Sequence, residues 1–236
     1  MGRASPFLRG LRSFLPLPSW WIIQRQLEPG GRSLLDVGCG RGGPAELINR
    51  KRRLFSVGAD IFRPYLLHCR AAGIYDDLVC CDVRYLPFPP ESFDVVLCGE
   101  VVEHLERVDA LALMKSMEAI ARRQVIISTP VGQCGQQAYD GNPHQAHHST
   151  WLPQDFRQLG YAVRGSGLRG MGGLIAQETS PLPEWLRLVA NAVWILASPF
   201  SYYSPRIGGN MVCVKNIDGE GFKNAAGEPV SSSRVK

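Results

Sequence analysis

Apolar and polar positions follow two rhythms along this chain. Short apolar runs close on an acid at Leu34-Leu35-Asp36-Val37, Val57-Gly58-Ala59-Asp60-Ile61 and Leu78-Val79-Cys80-Cys81-Asp82-Val83, and each reads as a strand. Phe93 to Gly99 is a fourth strand running into a helix with Glu100, Glu103 and His104, and Gln124 to Pro130 is a fifth. Helical signals fall between them. Gly43 to Ile48 opens a helix with Pro44 near its first position and Glu46 in its first turn, expected to end in the basic turn Asn49 to Arg53. A second helix is expected near Pro64 to Ala72, and Val108 to Ala121 carries Leu111, Leu113, Met114, Met117 and Ile120 at helical spacing. A long loop, a short helix at Leu152 to Leu159 and strands at Tyr161 to Arg164 and Asn210 to Lys215 complete the pattern. The alternation predicts an α/β fold with a doubly wound, mostly parallel seven-stranded sheet.

The first strand runs into the glycine-rich turn Gly38-Cys39-Gly40-Arg41-Gly42-Gly43. Glycines there let a backbone approach a nucleotide-like ligand closely. Gly38, Gly40 and Gly43 satisfy the dinucleotide pattern G-x-G-x-x-G, while Gly38, Gly40 and Gly42 satisfy the G-x-G-x-G of S-adenosylmethionine (SAM) binders. Asp36 leans the choice toward SAM, because a carboxylate before the turn can meet a cationic amino group but would repel a pyrophosphate. Asp60, about 20 residues beyond the turn, has the spacing that puts a carboxylate on ribose hydroxyls and suits both ligands. Asp82 can accept a hydrogen bond from an adenine amino group.

Taken together, Asp36-Val37-Gly38-Cys39-Gly40-Arg41-Gly42, Asp60, Asp82 with Leu86-Pro87-Phe88, Phe93-Asp94-Val95-Val96, Glu103-His104 and Gln124 to Pro130 resemble the class I SAM-dependent methyltransferases over roughly residues 30 to 165. The resemblance implies a Rossmann-like methyltransferase fold and SAM as cofactor. It implies that Gly38 to Gly40 pass under the methionine part of SAM, that Asp60 holds the ribose and that Asp82 with Val83 holds the adenine. The cofactor-binding set it suggests is Asp36, Gly38, Cys39, Gly40, Asp60, Ile61, Asp82, Val83 and Glu100. Cys98-Gly99-Glu100-Val101 stands where the family's Asn/Asp-Pro-Pro-aromatic motif would serve amino acceptors, which argues against N-methylation of a base or of glutamine.

With 236 residues, 45% of them hydrophobic, the chain can bury a full core as one domain. A net charge of +5 is scattered, apart from Arg50 to Arg53 and Arg3, Arg9 and Arg12, with no aromatic-interleaved basic stripe, which argues against nucleic acid as a partner. The seven cysteines form no C-x-x-C pair and fit reduced, mostly buried thiols in the cytoplasm. His144, His147 and His148 cluster after the fifth strand, but no carboxylate or thiol completes a recognisable metal-ligand spacing, so no metal is expected. His104 and His148 are the candidate general bases for a hydroxyl acceptor, although methyl transfer can run on proximity and alignment without one.

Residues 1–29 are expected to cap the crevice, residues 30–215 to form the methyltransferase domain with an insertion at 167–208, and 216–236 to be a disordered polar tail. Within the insertion, Leu188 to Ala197 is uncharged and followed by Pro199, too short for a membrane span. It reads as a lid, a dimer contact or an interfacial helix at a membrane surface, against an ordinary buried helix. The expected function is methyl transfer to a lipophilic small-molecule acceptor. A non-catalytic SAM-binding protein and a methyltransferase of a macromolecule are the alternatives.

Overall fold

A computed structural model describes residues 19–52, 54–132, 135–138, 140–169 and 183–217. Its strands are β1 (Ser33–Val37), β2 (Phe55–Asp60), β3 (Asp77–Cys80), β4 (Phe93–Gly99), β5 (Ala121–Pro130), β6 (Ala162–Ser166) and β7 (Asn210–Asn216). They form one seven-stranded sheet in the order β3-β2-β1-β4-β5-β7-β6. The first five strands are mutually parallel, while β7 runs antiparallel to both β5 and β6. The doubly wound, mostly parallel sheet read from the sequence is the observed one.

Helices α1 (Ser19–Gln26), α2 (Gly43–Arg52), α3 (Arg63–Ala72), α4 (Arg107–Ile120), α5 (Pro153–Gln158) and α6 (Glu184–Tyr203) cover the sheet. Strand residues alternate between the two faces, as the two-residue period of a strand requires. Leu35, Val96, Cys98, Ile127 and Cys213 share one core cluster with Leu113, Met114 and Met117 of α4. Leu34, Val95, Leu97, Ile126 and Val212 share the other with Ile22 and Ile23 of α1, Ile48 of α2 and Tyr202 of α6. The methionines are thus core, as their helical spacing implied.

Three sequence expectations change. Asn49 to Arg52 continue α2 instead of forming a turn, because a basic run suits the last turn of a helix as well as the loop after it. Trp20 to Ile23, expected over the crevice, is helical, and Ile22 and Ile23 are buried under the sheet. Helix α6 continues past Ala197 and through Pro199 to Tyr203. Residues 1–18 of the expected cap, Cys134, residues 170–182 of the insertion and 218–236 of the tail lie outside the described residues.

Candidate active site

The crevice lies outside the carboxyl ends of β1 and β4, where the strand order reverses, the usual ligand position in an open α/β sheet. Its first wall is the turn after β1. Gly38, Gly40 and Gly42 have φ of 68, 52 and 84°, the left-handed region that glycine enters without penalty. A Cβ on Gly38 would lie 2.3 Å from a Val101 methyl, whereas one on Gly40 would meet nothing within 4 Å and would point into open space. The turn is tied to β2. The Gly38 and Cys39 amides donate to the Ala59 carbonyl at 2.8 and 3.0 Å. The Asp60 carboxylate accepts from the Gly40 amide through one oxygen and from the Phe62 amide through the other, both at 2.8 Å. Asp60 therefore shapes the glycine turn, a role its spacing alone does not reveal.

Gly38, Gly40, Asp60, Ile61, Asp82, Val83 and Glu100 all line this cavity of about 280 Å³, together with His104 and His148. Asp36 and Cys39 are not in its lining. The Asp36 carboxylate is buried and accepts the Tyr75 hydroxyl at 2.6 Å. Burial pushes its pKa up to about 7, with the Tyr75 hydrogen bond opposing and the Asp60 charge adding to the rise. The Cys39 thiol is likewise buried and pushed up by desolvation. Asp82 accepts a forked pair from Arg84, at 3.0 Å from Nε and 2.6 Å from a terminal nitrogen, and this holds its carboxyl below the usual range.

The loop after β5 is laced to the turn after β4. The Glu103 carbonyl accepts from the His148 and Ser149 amides at 2.8 and 3.1 Å. The Ser149 hydroxyl donates to the Val102 carbonyl at 3.0 Å and accepts from the Trp151 indole at 2.9 Å. His104 Nδ1 lies 3.1 Å from the Ala146 carbonyl; a carbonyl only accepts, so Nδ1 carries the proton. Burial lowers the His104 pKa, opposed by hydrogen bonds of the ring to the backbone of Ala146 and of Glu100. The half-exposed His148 ring faces Glu106 at 3.7 Å.

Two acids sit beneath this junction. Glu100 has φ of 55°, its amide donates to the Ser128 carbonyl at 2.8 Å, and its carboxylate accepts from Asn210 at 3.1 Å. Glu103 accepts from the Thr129 hydroxyl at 2.9 Å through Oε2, and its buried carboxyl lies against that of Glu100, with which it shares a hydrogen bond. Burial pushes both carboxyls up, Glu103 further by the charge of Glu100. One ligating atom each of Glu103, His104 and His147 lie within 4.8 Å of one another. The sequence reading missed this grouping. Its available signal was that polar clusters follow two strands adjacent in the sheet, β4 and β5.

Residues 35–125, from β1 into β5, match the family model of a methyltransferase domain. The chain is 34% identical over 116 residues to a ubiquinone biosynthesis O-methyltransferase of Agrobacterium fabrum, covering 43% of this chain and 46% of that protein. It is 39% identical over 77 residues to a phthiotriol/phenolphthiotriol dimycocerosates methyltransferase of Mycobacterium tuberculosis, covering 30% of this chain and 28% of that one. The chain thus spans less than half the length of these curated relatives. A SAM-dependent methyltransferase from Archaeoglobus fulgidus has the same fold, with a TM-score of 0.52 at 19% identity over 90% of this chain and 100% of that one. The domain match falls on the glycine turn and strand-end acids that open on one crevice, so residues 35–125 are similar to a methyltransferase domain, in a chain with the fold of a SAM-dependent methyltransferase.

Proposed function

We propose that this protein transfers the methyl group of SAM to a hydroxyl of a lipophilic small molecule. The observation that carries this reading is the one crevice lined both by Gly40, Asp60 and Asp82 and by His104 and His148. The first group fits the cofactor. The space beside Gly40 accepts a ligand against the backbone, and the Asp60 carboxylate, which spends one lone pair on each of two amides, retains others for ribose hydroxyls. Bound SAM supplies an electrophilic methyl group on a sulfonium.

The chain's own part is to align the acceptor and to take its proton. In this reading His148, half-exposed and 3.7 Å from Glu106, receives the hydroxyl proton and releases it to solvent. The lipophilic acceptor is supported by the relatives, one an O-methyltransferase of ubiquinone biosynthesis and one a dimycocerosates methyltransferase. It is also supported by an apolar stripe on α6, where Val189, Val193, Leu196, Phe200 and Tyr203 are exposed and recur at helical spacing. That stripe is proposed to meet a membrane surface or the acceptor's apolar body. No helix among the described residues is long and apolar enough to cross a membrane.

The test is a screen with methyl-labelled SAM against lipid extracts and soluble metabolites. Label in an extractable lipid that is lost in His148→Ala supports the reading. Label in protein or nucleic acid would favour a macromolecular acceptor, and SAM binding without turnover would favour a non-catalytic role.

A further inference from the structure

We infer that segment 140–147 is a flap over the crevice, latched at its tip by Asp140 on Arg41 and Tyr65, and that parting of this latch admits SAM and releases S-adenosylhomocysteine. The inference rests on SAM as the cofactor of the proposed reaction. Base and tip of the segment are held differently. At the base, the Gln136 carbonyl accepts from the His147 amide at 3.1 Å, and the Gln136 side-chain amide donates to the Gln145 carbonyl at 2.8 Å. The Ala146 carbonyl meets His104, and the Glu103 carbonyl holds the His148 amide just beyond. At the tip, side chains make the latch. Asp140 Oδ2 accepts from an Arg41 terminal nitrogen at 2.6 Å and from the Tyr65 hydroxyl at 3.1 Å, and the Arg41 guanidinium lies 5.1 Å from the centre of the Tyr65 ring.

The flap thereby bridges the two strands between which the sheet order reverses. Arg41 belongs to the glycine turn after β1 and His104 to the turn after β4, so the segment held by both crosses the crevice. Asn142, His144 and Gln145 accordingly line it. A cavity of about 280 Å³ lies just under the roughly 300–1,000 Å³ of small-molecule sites, which is little for SAM and an acceptor together. Part of the lining must move, and the flap is a part with a releasable hold.

The latch is suited to opening. The Arg41 and Asp140 side chains are 56% and 39% exposed, and an ion pair so exposed holds weakly and is screened by salt. Asp140 and Gly141 have φ of 57 and 67°, and the aspartate is relieved of its left-handed backbone once its carboxylate is free to leave Arg41. The backbone bonds at the base then serve as the hinge.

The test is surface plasmon resonance of SAM and of S-adenosylhomocysteine over the immobilised full chain, without acceptor, for wild type, Asp140→Ala and Asp140→Asn. A gate sets both rates, so Asp140→Ala should raise association and dissociation each by about fivefold or more, while Kd changes by less than about threefold. Wild-type rates should rise between about 50 and 500 mM KCl, whereas Asp140→Asn, which keeps an oxygen for Tyr65 but loses the ion pair, should be faster at low salt and nearly indifferent to salt. Asp140 is exposed, so both variants should melt with wild type. Faster dissociation with unchanged association would make Asp140 a binding contact and overturn the gate. Rates equal to wild type, or no SAM binding by wild type, would overturn it too. Because no acceptor is present, rates as expected with no hydroxyl methylation would count against the proposed reaction and not against the flap.

Discussion

At the residue scale, the two first glycines of the turn do different work and should fail differently. Gly38 is packed: a Cβ there would collide with Val101 at 2.3 Å, so Gly38→Ala should lower stability by about 1–3 kcal/mol as well as weaken SAM binding. Gly40 faces open space but has φ of 52°, so Gly40→Val should strain the turn at a cost of about 1–3 kcal/mol yet retain the circular-dichroism spectrum and core, while its branched side chain occupies the crevice and reduces SAM affinity. Equal melting temperatures and equal SAM affinities for wild type and both variants would contradict this division. Asp36 makes a pH-dependent prediction. Its pKa is raised from 3.8 to about 7 by burial, so its protonated form favours the fold; that contribution is complete below about pH 4 and is lost as pH rises through about 7. Asp36→Asn, which can still accept from Tyr75, should gain stability over wild type as pH rises from 4 to 8, by up to about 4 kcal/mol. Denaturant midpoints across that range would show it, and an offset independent of pH would contradict it.

At the element scale, α6 separates the roles of sheet and surface. Val193 and Leu196 are 47% and 73% exposed, so Val193→Ser with Leu196→Ser should change stability by no more than about 0.5 kcal/mol. The same pair should reduce association with vesicles or turnover of a lipophilic acceptor, while SAM affinity stays unchanged. Unfolding of the double variant would show instead that the stripe is core. The elements that the sequence displayed were those whose local signals agree. Strands β1 to β4 have apolar runs with strand-end acids, and Gly38 to Gly43 announce the turn. Elsewhere local signals conflict or are silent. Arg50 to Arg52 fit a helix end and a loop equally, and Pro199 suggests a stop that α6 runs through. The meeting of Glu103 with His147 depends on backbone bonds between loops 44 residues apart in sequence (147 − 103), which no periodicity encodes. Asp36 was legible as an acid before the turn, but its pairing with Tyr75 was not, because Tyr75 arrives from the loop between α3 and β3.

At the scale of the whole molecule, the reversal of strand order between β1 and β4 opens the crevice, and the antiparallel β7 closes the sheet beyond β5. The candidate site hangs from the carboxyl edge of the sheet on both sides of this switch point: the glycine turn from β1, Asp60 from β2 and Asp82 after β3 on one side, Glu100 after β4 and the histidine loop after β5 on the other. The central claim is that this edge holds SAM through strand-end carboxylates. It is tested most directly by calorimetry of wild type and Asp60→Ala with SAM and with NAD on the same preparations. SAM should bind wild type at one site, NAD should not bind, and Asp60→Ala should bind SAM roughly 10- to 150-fold more weakly, the loss of about 1.5–3 kcal/mol expected for hydrogen bonds to a charged group. Binding of NAD without SAM, or SAM binding indifferent to a folded Asp60→Ala variant, would contradict the account.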